Sequence, residues 1–236
     1  GEQTYHQAMA YCDVHDIGNY AEFLLGERAG VFEKLGHWDE CLSITHAMLD
    51  EQSLSPSGRL VPLTYQAKVM ARRGQDGYWP DLDEALRYAT GLEEPEWLLS
   101  VHLARVEAYW LEGRTDAAVE ELDRIRYASG GVTPVQRGWL ALWTQRLTGI
   151  VHPIDLEPFA SQLSGNGARA VELWDRLDYR YEAALALLDT KEEASLRESL
   201  SRLVDLGAEA TARLVRRTMR DLGIRGIPAG ARTATK

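Results

Sequence analysis

Four residues near the start of the chain have the chemistry of a metal site: His6, Cys12, His15 and Asp16, with Cys12-Asp13-Val14-His15 at a C-x-x-H spacing. A thiolate and a neutral imidazole together suit zinc, but a closed site needs four ligands and no second pair follows at finger spacing. The phrase reads as a turn between helices with a buried cysteine and a polar cap, and no metal is expected. Other chemistry has no carrier either. The sequence holds no G-x-x-x-x-G-K-[ST], no H-E-x-x-H and no G-x-S-x-G. Gly165-Asn166-Gly167 lacks the preceding strand and the third glycine of a dinucleotide loop. The acidic pairs Glu93-Glu94, Glu120-Glu121 and Glu192-Glu193 fall at helix starts or on polar faces, where carboxylates favour the helix dipole or stay solvated. No catalytic residue and no enzyme activity is expected.

Two groups have binding chemistry instead. The first is a set of seven tryptophans: Trp38, Trp79, Trp97, Trp110, Trp139, Trp143 and Trp174. Most such rings pack between helices, and Trp139 and Trp143 share one helix face. Trp38 lies in a turn, and Trp79 and Trp97 lie near helix starts, so these three are the candidates for a groove or rim. The second group is Arg213, Arg216, Arg217 and Arg220, spaced i, i+3, i+4, i+7 on an expected helix over Ala208–Leu222. From Thr211 to Lys236 seven Lys/Arg face one acid, Asp221, which leaves +7 − 1 = +6. This is either a solvated face that complements the helix C-terminal dipole, or a patch for an anionic partner such as DNA phosphates. The net charge of −10 disfavours nucleic-acid binding by the body as a whole.

The elements that must position these residues are helices. An amphipathic run, a glycine or polar turn and a second amphipathic run recur at Gly36, Gly74 and Gly113, which lie 38 and 39 residues apart. Glycine suits a helix end that finishes in the left-handed region. The spacing suits hairpins of tetratricopeptide type, slightly longer than the usual ~34 residues. Looser turns follow at Leu177-Asp178-Tyr179 and Leu206-Gly207-Ala208. Thr133-Pro134-Val135-Gln136 reads as a capping box with proline at the first helical position, and Thr190-Lys191-Glu192-Glu193 is read the same way. Trp79-Pro80 and Glu94-Pro95 mark helix starts. Apolar residues at Phe23, Leu24, Val31, Phe32 and Leu35 predict a helix over Tyr20–Leu35; a second stripe predicts one over Leu98–Leu111. Pro62 is expected to delay or kink the helix within Arg59–Arg73. No period-2 alternation bounded by hairpin turns occurs, so no sheet is expected.

The expected architecture is an all-α, TPR-like array of about 12 to 13 helices in a curved solenoid. Residues 1–148 form its first hairpins, 149–155 a linker, 156–223 further hairpins, and 224–236 a flexible Gly/Pro/Ala-rich tether. The 45 % of hydrophobic residues suffice for a continuous core and argue against disorder. Cys12 and Cys41 make no disulfide framework and fit a reducing, cytoplasmic setting. The longest apolar run, Ala183–Leu188, is far short of the ~20 residues that span a bilayer. No signal peptide is visible. The start at Gly1-Glu2-Gln3, without methionine, is expected of a cleaved tag or an excised domain.

Four stretches resemble the helical-repeat region of large ATP-binding LuxR-type transcriptional regulators, the class that includes the maltose-regulon activator. Ala10-Tyr11-Cys12-Asp13-Val14-His15-Asp16 is similar to a "YC-x-x-HD" phrase at a hairpin start. Leu35-Gly36-His37-Trp38-Asp39-Glu40 resembles the "G-x-W-D-E-A" turn, with Cys41 in place of alanine. Tyr179-Arg180-Tyr181-Glu182-Ala183-Ala184-Leu185-Ala186-Leu187 resembles "PYE-A-A-LAL", with Arg180 in place of proline. Leu222-Gly223-Ile224-Arg225-Gly226-Ile227-Pro228-Ala229-Gly230 is similar to the "LGVRGVPRG" tether before the DNA-binding helix-turn-helix, and is the most specific of the four.

The resemblance implies a sensor or interaction module that binds a small-molecule inducer or a protein partner. No cofactor is expected in this segment. ATP would sit on an N-terminal domain and DNA on a C-terminal one, both outside this sequence, and self-association is compatible with the fold. A purely structural spacer, or a stand-alone protein–protein interaction scaffold, is the competing reading.

Overall fold

A computed structural model describes residues 2–51, 54–92, 94–126 and 132–230. Among them are thirteen α-helices and no strand. In chain order they are α1 (Glu2–His15), α2 (Gly18–Leu35), α3 (Trp38–Asp50), α4 (Pro56–Arg73), α5 (Trp79–Leu92), α6 (Pro95–Leu111), α7 (Thr115–Arg126) and α8 (Pro134–Thr148). There follow α9 (Phe159–Leu163), α10 (Gly167–Arg176), α11 (Arg180–Asp189), α12 (Glu193–Asp205) and α13 (Glu209–Asp221).

Local chemistry sets most of these bounds. Thr133 and Gln136 form the expected capping box, with Gln136 N–H donating to Thr133 Oγ1 at 3.2 Å and Thr133 N–H to Gln136 Oε1 at 3.0 Å. Pro95 and Pro134 occupy the first helical position, where no N–H is needed. Gly36, Gly74 and Gly113 all have left-handed φ, at 78°, 71° and 74°. At Gly36 the turn is also crowded, since a Cβ there would lie 2.6 Å from Leu206 Cδ1. Gly36→Ala is therefore expected to lower stability by about 1–2 kcal/mol from the left-handed backbone alone, read as a lower urea midpoint.

Two local expectations are corrected. Pro62 does not delay its helix: α4 starts at Pro56, where Ser55 Oγ accepts from Gly58 N–H at 3.0 Å. The packing of Leu60, Val61 and Leu63, all buried, holds the turn that the proline weakens. Thr190 is not the cap of α12. It closes α11, and Glu192 stands at the N-cap without a side-chain bond.

Consecutive helices pack in pairs, α2 with α3, α4 with α5 and α6 with α7, while α2, α4, α6 and α8 lie side by side in a row. The later helices return across that row: α11 meets α2, and α13 meets α4 and α6. One hydrophobic cluster joins Trp38, Val69 and Val106 to Tyr181, Leu196, Leu203, Val215 and Met219. Tyr181 is its hinge point, edge-on to Trp38 at 5.8 Å and hydrogen-bonded to Thr211 Oγ1 at 2.9 Å. The core thus contains residues from both sides of 149–155. Residues 224–230 carry no helix. Ile224 and Ile227 pack on the core, Arg197 donates to the carbonyls of Arg225 and Gly226 at 2.7 and 3.3 Å, and Arg216 donates to that of Pro228 at 3.2 Å. Residues 231–236 of the expected tether lie outside the described residues.

Candidate functional site

The row of helices encloses a cavity of about 200 Å³ against α11. Its lining changes character along the helices. The N-terminal halves of α4, α6 and α8 supply Leu60, Val61, Trp97 and Val135, with Ser100 and Gln136 among them, and the C-terminal halves supply Arg72, Glu107 and Arg146. Like ends stand together, because Gln136 Nε2 reaches the Glu96 carbonyl at 3.0 Å at one end while Arg72 grips Glu107 at the other. Val135 is 50 % exposed, which places the mouth at the apolar end. The charged end is deep: Arg72 and Glu107 are buried.

The deep end is an ion network. Arg72 holds Glu107 in a bidentate pair, Nε–Oε1 2.7 Å and Nη2–Oε2 3.0 Å. Its Nη1 donates to Glu33, and its guanidinium lies 3.9 Å from the Tyr181 ring centroid. Lys68 Nζ is 2.9 Å from Glu33 Oε1. Lys34 Nζ stands 3.3 Å from Glu182 Oε1 and 3.6 Å from Glu33 Oε2, and 4.4 Å from the Trp139 ring centroid. Burial pushes the Glu33 carboxyl up, but Lys34, Lys68 and Arg72 outweigh it and hold the group well below its ordinary 4.5. Glu107 is likewise pushed up by burial, yet drawn below 4.5 on balance by Arg72. Lys68 is lowered by burial, which Glu33 only partly offsets. Cys41 lies fully buried close by, and burial pushes its thiol up to about 12. Because only the thiolate reacts, Cys41 is expected to resist a thiol reagent at pH 8 until the chain is unfolded, with the modified residue assigned by mass spectrometry.

A second cavity, of about 410 Å³, lies beyond a partition of Arg146 and Gln162, which line both. Arg146 holds Asp189 at 3.0 and 2.8 Å, and Gln162 Nε2 donates to the same carboxylate at 2.7 Å. Trp174 Nε1 fixes Gln162 Oε1 at 2.8 Å. Leu214 and Thr218 of α13 line the far side.

The residues singled out by sequence do not converge here. Of the three candidate tryptophans only Trp97 lines the cavity. Trp38 is 1 % exposed, its Nε1 donating to the Glu33 carbonyl at 3.1 Å, so it is core and no rim residue. Trp79 lies tilted against Tyr109, ring centroids 4.5 Å apart, elsewhere on the surface and donates to Glu112 at 2.6 Å. The four arginines also diverge. Arg216 is nearly buried and pairs with Glu209 at 3.0 Å. Arg220 Nε donates to the Arg216 carbonyl at 3.2 Å. Arg213 and Arg217 lie against Gly74 and Gly113, which cap α4 and end the turn after α6; a cation at such an end favours the helix dipole. Glu121, expected on a polar face, is buried and takes His102 Nδ1 at 2.8 Å and Arg105 Nε at 2.8 Å. Among the described residues no group of three or more His, Cys, Asp or Glu is placed to hold a metal ion. Among the described residues no helix is long and apolar enough to cross a membrane.

Sequence reasoning passed over the network itself. The signal was a charge inside an apolar stripe: Glu107 has Leu103, Ala104, Trp110 and Leu111 at three and four residues on either side.

No family model matches this chain, and no curated protein and no solved structure matches it.

Proposed function

We propose that this chain is the sensor module of a LuxR-type transcriptional regulator, a TPR-like solenoid of helical hairpins whose inner cavity takes a small-molecule inducer. In this reading ATP hydrolysis and DNA reading belong to other domains of the regulator. The observation that carries the proposal is the cavity with its deep ion network. Burying Arg72, Glu33 and Glu107 costs desolvation that an apolar core of equal volume would avoid, so a plain spacer has no need of it. A ligand site does, because charges held in place at the end of an apolar pocket orient what enters.

The test is thermal unfolding of this chain against a broad panel of small metabolites. A ligand present at 100 times its dissociation constant adds about 2.7 kcal/mol. That raises the melting temperature by roughly 5–10 °C for a chain of this length. Val135→Trp, which fills the mouth without touching a charge, is expected to abolish the shift. If no compound moves the wild-type melt, or if the shift survives Val135→Trp, the cavity is not the sensor site.

A further inference from the structure

The two lysines of the cavity wall have more donors than partners. An ammonium carries three N–H groups. Lys34 gives one to Glu182 Oε1, and Lys68 pairs with Glu33 Oε1, an oxygen that Arg72 also binds. The lysine side chains keep 23 % and 14 % exposure, whereas Glu33 keeps none. Glu33 Oε2 and Glu182 Oε2 have no hydrogen-bond partner, but both atoms are closed off from solvent. What enters the cavity therefore meets N–H donors and not free carboxylate oxygens. The charge is arranged in the same sense. Lys34, Lys68, Arg72 and Arg146 line the cavity against Glu107 and Glu182, +4 − 2 = +2, while Glu33 and Asp189 stand behind the wall. Toward the mouth the lining is mainly apolar, with Trp97 and Val135 beside Ser100 and Gln136, which are bonded to each other at 3.4 Å.

Resting on the cavity being a ligand site, we infer that its ligand is a small organic acid. The carboxylate accepts from Lys34 and Lys68, and a single ring or short apolar chain lies toward Trp97 and Val135. A carboxylate is favoured over a neutral head because its full negative charge adds Coulomb attraction to the lysine hydrogen bonds in a partly desolvated site. A cation is disfavoured by the four cationic side chains of the lining.

The test uses three probes with one body and three heads: 3-phenylpropanoate, 3-phenylpropanamide and 3-phenylpropylamine, titrated calorimetrically into the whole chain at pH 7. The acid is expected to bind at least tenfold more tightly than the amide, and the amine to give no signal. Lys68→Met is expected to cut acid affinity at least tenfold and amide affinity by a clearly smaller factor, its fold being checked by its melting curve. Val135→Trp is expected to remove binding of acid and amide alike, which keeps the test decisive if Lys68→Met folds poorly. An amide or amine that binds as tightly as the acid overturns the acid but keeps the cavity. Acid binding that survives both substitutions overturns the placement. If none of the three probes binds, the acid assignment falls, and the wide metabolite panel decides separately whether the cavity binds anything.

Discussion

Arg72→Ala is expected to lower the unfolding free energy by about 3–5 kcal/mol, the range for breaking a buried ion pair from one side. For a chain of this length that is a fall of roughly 10 °C in melting temperature. The size follows from what the guanidinium holds. It is 3 % exposed, grips Glu107 bidentately, donates to Glu33 and lies over Tyr181. Its loss leaves Glu107 buried without its partner. Glu33 keeps Lys34 and Lys68, so most of the cost falls on Glu107. Arg72→Met combined with Glu107→Leu removes one charge of each sign and is expected to recover at least half of the loss, since paired apolar replacement of a buried ion pair is often neutral. Matched urea melts of the two variants and the wild type decide it. A double variant no more stable than Arg72→Ala would mean that the ring contact with Tyr181, not the charge, carries the effect.

The same network fixes a pH dependence. Glu33 and Glu107 are held below their ordinary 4.5 in the folded chain. A depressed carboxyl contributes stability that is full above its unfolded value and is lost as pH falls through its folded value. The wild type is therefore expected to lose stability from about pH 4.5 downward as these carboxylates take up protons. In Arg72→Met, burial acts on Glu107 without its main counter-charge, so its folded value rises and its share of the acid-side loss shrinks or changes sign. Urea midpoints followed from pH 8 to pH 3 are expected to fall less steeply below about pH 4.5 in the variant than in the wild type.

The helices were legible because their bounds rest on contacts within one turn. Thr133, Pro134 and Gln136 define an end among themselves, and Gly36 and Gly74 accept a backbone that other residues resist. Pro62 escaped because its cost is met by packing against other helices, which no local rule contains. The cavity escaped for a similar reason. Lys34 and Glu182 meet across 148 residues and Arg72 and Glu107 across 35, so the site exists only once α2, α4, α6 and α11 are assembled. The arginine face is the converse case. Its spacing gives the four residues one side of α13, but α13 lies against the ends of α4 and α6. The side chains are then divided between two helix ends, Glu209 and the 224–230 segment. Spacing along one helix states which residues share a face; what that face meets is a property of the whole chain.

Trp174→Ala is expected to cost about 3–5 kcal/mol, as for other large-to-small changes of a buried aromatic. Trp174 is 1 % exposed and stacks between Trp139 at 5.2 Å and Tyr179 at 5.9 Å, with Phe159 edge-on at 5.2 Å. Its removal opens a cavity behind Trp139 and leaves Gln162 Oε1 without its donor. Gln162 in turn helps hold Asp189 in the partition beside Arg146. Trp174→Phe keeps most of the ring packing and loses the Nε1–H, so it is expected to cost about 1–3 kcal/mol, the penalty for an unmet buried polar group. The pair separates ring from hydrogen bond in the urea midpoint. Trp97→Ala is the contrasting case, because Trp97 is only half-buried and lines the cavity mouth. Its expected loss is in ligand affinity, with a smaller change in stability. Equal destabilisation by Trp97→Ala and Trp174→Ala would place Trp97 among the core supports and remove it from the binding wall.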